Sequence, residues 1–288
     1  AARRVLATSL APLFGKIALV DGPLLLAQTV ALLGLLRFVH SQRWWWAAVM
    51  GAGVAAGLLL KGPPVLILVI GAMGVLAVLH PGRRRLIRLH PWFILPLACL
   101  PLVVWGWISW QRDGGVFVRW MFDWYVVRRT STGVFGQTGP PGTYLASFAI
   151  LLFPWFGLLP AALARTFRRV RARDVVYTTL AAWLAAGWLI YEIMPSKLPA
   201  YALGAYPALA VILADQALDL TSQRLRGSWL LKGGLVFQGV LSMVLAGALI
   251  VGAWLLMPGE VLLSLVGVGA VIAVATVAAA VLLWRGAT

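Results

Sequence analysis

Residues 62–110 read GPPVLILVIGAMGVLAVL, HPGRRRLIRLH, PWFILPLACLPLVVWGWISW. Two long apolar runs, 62–79 and 91–110, enclose eleven residues that hold Arg83, Arg84, Arg85 and Arg88. A helix rises 1.5 Å per residue, so a run of roughly 20 apolar residues crosses the ~30 Å hydrocarbon layer of a bilayer. The whole chain shares this character. Of its 288 residues 62% are apolar and 11% charged, and the mean hydropathy is +0.93. Soluble domains carry about 25% charged residues, disordered chains lack hydrophobicity, and β-barrels show alternating segments of about ten residues. All three classes are excluded, and the pattern predicts an all-α, polytopic transmembrane helical bundle.

Nine spans are predicted: 22–39, 44–60, 62–79, 91–110, 144–164, 175–193, 198–214, 233–256 and 261–284. Residues 5–20 are a tenth candidate, truncated or re-entrant. The whole of 1–288 then forms a single transmembrane domain. The connections sort by charge. Arginines crowd 80–90, 165–174 (Arg165, Arg168, Arg169, Arg171, Arg173) and 215–232 (Arg224, Arg226, Lys232), and Arg37, Arg43 and Arg285 fall on the same side. These connections alternate with the others, so one orientation makes them all cytoplasmic. The +16 net charge is thereby a topological signal, and no nucleic-acid partner is expected. The start, Ala1-Ala2-Arg3-Arg4, lacks a methionine, and the chain is expected to be a segment of a longer protein.

The opposite, extracytoplasmic side receives few charges: Asp21, Lys61, Glu192, Lys197, Glu260 and those of the long 111–143 loop. The first half of that loop, Val116 to Tyr125, is apolar and aromatic, with Arg119 and Asp123 one turn apart. This predicts an amphipathic helix lying in the membrane interface. Arg128 and Arg129 close the segment, and either bind lipid headgroups or grip a phosphate bidentately.

Each remaining charge has a structural and a functional reading. Asp21 either caps the helix that begins at Gly22-Pro23 or orients a substrate at the membrane surface. Lys61, in Lys61-Gly62-Pro63-Pro64, is either a snorkelling side chain at a turn or a cation aimed at an anionic headgroup. Lys197 is bracketed by Pro195 and Pro199. Tyr201 lies one helical turn beyond it, and Glu192 is close enough to pair with it. These are either interfacial anchors or pocket residues. His40, His80 and His90 fall on the arginine side, Cys99 is alone, and no HExxH, CxxC or Walker motif occurs. A His/Cys metal site is therefore not expected and no cofactor is indicated with certainty; a divalent metal held by carboxylates stays open as an alternative, though acids are scarce and no ligand set in this segment supports it.

Four stretches occur together in order: Gly15 to Leu25 (GKIALVDGPLL), Gly57 to Pro63 (GLLLKGP), Pro154-Trp155 with the run to Pro160, and Ser196 to Tyr201 (SKLPAY) followed by Tyr206-Pro207-Ala208-Leu209. Across residues 10–215 they resemble the polyprenyl-phosphate-sugar-dependent GT-C glycosyltransferases, above all the lipid A aminoarabinose transferases and protein O-mannosyltransferases. The resemblance implies transfer of a sugar from a polyprenyl-phosphate carrier to an acceptor hydroxyl (lipid A, protein or glycan) at the extracytoplasmic face of an inner membrane. It matches Asp21 to a family aspartate near the active site. Lys61 and Lys197 match positions near the carrier phosphate, with Tyr201 beside Lys197, and Arg128 or Arg129 matches a phosphate-contacting arginine. Where many relatives carry a histidine, this chain has Gln137-Thr138-Gly139-Pro140. The family's acidic base lies in a loop expected upstream of Ala1, so these 288 residues alone are expected to be inactive. The alternative function is transport of a small or lipid-linked anionic solute. It is disfavoured because the charges sit at span ends rather than mid-membrane.

Overall fold

The computed structural model describes residues 20–128, 138–153, 155–195, 197–221 and 229–256, with a few helical positions between 267 and 281. The stretch 5–20 (apart from Val20), most of 261–284, Arg129, Arg224, Arg226 and Glu260 lie outside the described residues. The helices are α1 (Asp21–Ser41), α2 (Trp44–Lys61), α3 (Pro64–Leu79), α4 (Pro91–Asp113), α5 (Val116–Phe122), α6 (Thr143–Leu151), α7 (Leu159–Arg171), α8 (Val175–Ile193), α9 (Tyr206–Thr221) and α10 (Trp229–Leu256). Among the described residues there is no strand.

Six helical stretches among the described residues are long and apolar enough to cross a bilayer, and the shorter α3 is apolar throughout. The 23-residue α4 buries only Ala98 and exposes Trp92, Phe93, Leu97, Val103, Val104 and Trp107. An apolar surface of that extent is stable against lipid rather than water. The chain is an integral membrane protein.

Two compact units are present: residues 12–147 with 166–209, and residues 148–165 with 210–288. In the first, α1 and α2 form a hairpin across a two-residue link. Gln42 takes a left-handed conformation (φ 55°) and donates its backbone N–H to the Phe38 carbonyl at 2.8 Å. Arg85, in the 3-10 turn Arg83–Leu89, donates to the Val39 carbonyl at 3.2 Å, so one of the sequence-flagged arginines finishes α1. The hairpin closes because two glycines let the backbones touch. A β-carbon on Gly53 would lie 2.5 Å from the Ala31 nitrogen, and one on Gly34 would lie 2.5 Å from the Met50 nitrogen. Neither backbone can yield cheaply. Gly53→Val is expected to cost at least the roughly 1–3 kcal/mol typical of overpacking, read as a lower melting temperature in detergent. Gly74→Val is the control, since Gly74 has nothing within 4 Å. Equal melting of the two variants would refute this packing.

In the second unit the backbones of Gly157 and Gly234 meet, with Gly157 N–H donating to the Gln238 side-chain oxygen at 3.2 Å. Arg165 pairs with Asp215 at 3.1 Å.

Two expectations need correction. Residues 144–164 are not one span: α6 ends at Leu151, a 3-10 turn occupies Phe156–Leu158, and α7 starts at Leu159. The arginines of 165–171 belong to that helix rather than to a loop. Arg168, Arg169 and Arg171 fill its last turn, where cations favour the negative end of the helix dipole. The polar stripe of the segment after α4, Arg119 and Asp123, divides between two neighbours. Arg119 lies over the Trp110 ring at 4.9 Å, while Asp123 opens a π turn and accepts from Arg128 Nε at 2.8 Å. The π turn shifts the helical phase, and the planar guanidinium stacks on the nearer indole.

Candidate active site

The Lys61-Gly62-Pro63-Pro64 stretch makes the turn its composition suggests. Gly62 has φ +78°, which suits a residue without a β-carbon, and its N–H reaches the Leu58 carbonyl at 2.9 Å. Pro64 then starts α3 in the position that lacks a helical donor partner. Lys61 is left at the last residue of α2. Its Nζ donates to the carboxylate of Asp21 in the first turn of α1. The Asp21 side chain is 11% exposed and that of Lys61 26%. Each charge suits the helix end that bears it. Among the described residues Asp21 caps no backbone N–H of α1, so its carboxylate is directed at Lys61.

A second cluster forms where α8 ends. Lys197 is buried, with only 4% of its side chain exposed. Its Nζ donates to the main-chain carbonyls of Tyr191 (2.8 Å) and Glu192 (2.6 Å), lies 3.8 Å from a Glu192 carboxylate oxygen, and sits over the Tyr144 ring at 5.3 Å. The expected pairing of Glu192 with Lys197 is thus present. The Glu192 carboxylate also accepts from Gly142 N–H (2.9 Å), Leu145 N–H (3.0 Å) and Trp188 Nε1 (2.9 Å). The Tyr144 hydroxyl accepts from Leu198 N–H at 3.1 Å, and the rings of Tyr191 and Tyr201 lie 5.7 Å apart. Sequence reading missed Tyr144, Tyr191 and Trp188 as members of this cluster. The available signal was an acid, Glu192, inside an otherwise apolar span.

The second cluster reaches α1 and α3 through the turn that follows it. The 3-10 turn Pro199–Ala205 carries Tyr201, and its Gly204 packs so closely that a β-carbon there would be 3.1 Å from the Gln28 side-chain oxygen and 3.3 Å from Leu68. Gln28 lies two helical turns from Asp21, and Leu68 one turn from the start of α3. Trp183 Nε1 fastens the same turn by donating to the Gly204 carbonyl at 2.7 Å. Arg128 lies on the π turn after α5, paired with Asp123 and 5.5 Å over the Trp124 ring. Among the described residues no three His, Cys, Asp or Glu side chains gather as a metal site. At the other end of the α1–α2 hairpin, an apolar groove of about 820 Å³ is lined by Phe38, Trp44, Trp92 and Phe93, with Arg88 beside it.

The solved structure of ArnT from Cupriavidus metallidurans, bound to undecaprenyl phosphate, superposes on 98% of this chain with a TM-score of 0.75, at 21% identity. The chain has the GT-C glycosyltransferase fold. It spans about half of that GT-C protein, 52%. No family model matches it. An undecaprenyl phosphate-alpha-4-amino-4-deoxy-L-arabinose arabinosyl transferase of Yersinia pestis is 25% identical over 213 residues, 71% of this chain and 37% of the relative. One of the same description from Pseudomonas aeruginosa is 32% identical over 143 residues, 48% of this chain and 25% of the relative. The chain therefore spans between a quarter and little more than a third of the length of these curated relatives, 25% and 37%.

Proposed function

We propose that this chain is the carrier-binding part of a GT-C enzyme that transfers a sugar from undecaprenyl phosphate to an acceptor hydroxyl, with 4-amino-4-deoxy-L-arabinose as the sugar and lipid A as the acceptor. The Asp21–Lys61 pair carries this reading. It is a partly exposed cation held at a helix end, on a fold shared with a protein that was crystallised with undecaprenyl phosphate. When the sugar leaves, negative charge grows on the phosphate oxygen. A fixed ammonium in surroundings of low dielectric stabilises that charge without reorganising. Lys61 supplies it, and Asp21 holds Lys61 in place. Tyr201 donates a hydrogen bond to the phosphate, and Arg128 and Arg129 add positive charge from the long loop. The arginine-rich turns are cytoplasmic, so the Asp21–Lys61 end faces the extracytoplasmic side of an inner membrane.

The test uses the full-length protein in nanodiscs with undecaprenyl-phosphate-linked aminoarabinose and lipid A. Mass spectrometry is expected to find the acceptor heavier by one aminoarabinose residue, and added undecaprenyl phosphate is expected to inhibit. A full-length protein that leaves lipid A unmodified, or that uses a soluble nucleotide sugar instead, would overturn the proposal.

A further inference from the structure

We infer that Glu192 and Lys197 are a positioning pair: neither touches the carrier, and together they lock the end of the long loop onto the segment that presents Tyr201. The inference rests on the carrier-binding reading above. It reassigns Lys197, which sequence resemblance matches to the carrier phosphate.

An ammonium has three donors. Two of those on Lys197 go to the carbonyls of Tyr191 and Glu192, and the Glu192 carboxylate and the Tyr144 ring flank the same nitrogen. Those carbonyls belong to the last turns of α8, which runs to Ile193, so Lys197 completes a helix C-terminus with a cation. Little of it is left for a ligand.

Glu192 does the converse for α6. Its two carboxylate oxygens accept from Gly142 and Leu145, at the N-terminus of that helix. An anion there satisfies donors that a helix leaves free, and it suits the dipole. With the Trp188 N–H and Lys197 also facing it, the carboxylate is engaged on every side and is a poor general base.

The two charges thus tie together stretches about fifty residues apart. Tyr144 adds the last link, since its hydroxyl takes Leu198 N–H. Leu198 in turn accepts from Tyr201 N–H at 2.9 Å, and the Tyr201 ring leans on Tyr191. Each bond from Glu192 to Tyr201 is local and directional, so shifting the pair shifts Tyr201.

The experiment compares Glu192→Gln, Lys197→Met, Tyr201→Phe and the doubles with Tyr201→Phe, in the full-length enzyme with the carrier-linked sugar. Glu192→Gln and Lys197→Met are each expected to lower kcat/KM about tenfold, the size of coupling between residues in one network. The pH profile should keep its shape. Each double should be no worse than Tyr201→Phe alone by more than about twofold, because non-additivity marks residues that act as one unit. Wild-type rates in the singles, multiplied losses in the doubles, or loss of a limb of the pH profile in Glu192→Gln would each overturn the inference. Should Glu192→Gln fail to accumulate as folded protein, Tyr144→Phe replaces it. That variant removes only the hydroxyl that receives Leu198 N–H, and the same non-additivity is required of it. A wild-type enzyme without any transfer would refute the functional reading, and this inference with it. An active wild type with an unaffected Glu192→Gln would refute the inference alone.

Discussion

Under the proposed transfer reaction, Lys61→Met in the full-length protein is expected to lower kcat about a hundredfold, the lower part of the range seen when one fixed donor to a developing oxyanion is removed. Methionine keeps the length and apolar stem of the side chain, so the turn at Gly62 and the α2–α3 junction should persist. What disappears is the charge at the last residue of α2, and with it the partner of Asp21. The carrier is already anionic in the ground state, so KM should also rise. It should rise less than kcat falls, because the phosphate gains its further charge only as the sugar leaves. Steady-state kinetics at several carrier concentrations separate the two effects. A variant within twofold of wild type in kcat would show that Lys61 is only a snorkelling anchor.

Asp21→Asn is expected to have the opposite signature in binding and the same one in turnover. The amide can still accept a hydrogen bond from Lys61, but the pair then carries a net positive charge. Undecaprenyl phosphate should bind more tightly, because Lys61 no longer shares its charge with a carboxylate. Turnover should nevertheless fall, by about the tenfold to hundredfold that loss of a well-oriented interaction costs, because nothing holds the ammonium in line with the leaving oxygen. Folding should barely change. Asp21 caps no backbone donor of α1 among the described residues, so the loss of about 1 kcal/mol typical of an N-cap does not apply. A partly exposed ion pair is itself worth only about 0–1 kcal/mol. Product inhibition by undecaprenyl phosphate, turnover and melting temperature, measured on one preparation, test all three statements. Weaker product binding together with a sharply lower melting temperature would return Asp21 to a structural role.

The two predictions differ from that for the Glu192–Lys197 pair in a way that reflects burial. Lys61 keeps a quarter of its side chain exposed, whereas Lys197 keeps 4%. Removing one member of a buried pair leaves the other without compensation, which is costly. For that reason the Glu192–Lys197 test relies on non-additivity and the pH profile rather than on the size of a single loss.

Much of this molecule is set by its sequence alone. The apolar runs of 22–39, 44–60, 91–110 and 175–193 reappear as α1, α2, α4 and α8; the first three helices are slightly longer than their runs, and α8 has the same bounds. Helix formation and membrane burial depend on the composition of a contiguous stretch, and that is local information. The turn at Lys61-Gly62-Pro63-Pro64 was legible for the same reason, since a glycine free to take positive φ and a proline fixed at the helix start act on their own residues.

Side-chain partnership was not local. From spacing alone, Lys61 and Lys197 were equivalent: each a lysine beside prolines at the end of a span. Tertiary packing separates them. The close backbone approach of Gly34 to Met50 and of Gly53 to Ala31 seats α1 on α2, which lays Asp21 against Lys61 across forty residues and leaves the pair partly open. The return of residues 142–145 onto the end of α8 encloses Lys197 among carbonyls, a carboxylate and the Tyr144 ring. A charge takes whatever partner the backbone brings within about 3 Å, and that depends on how distant segments pack, which hydrophobic periodicity does not encode.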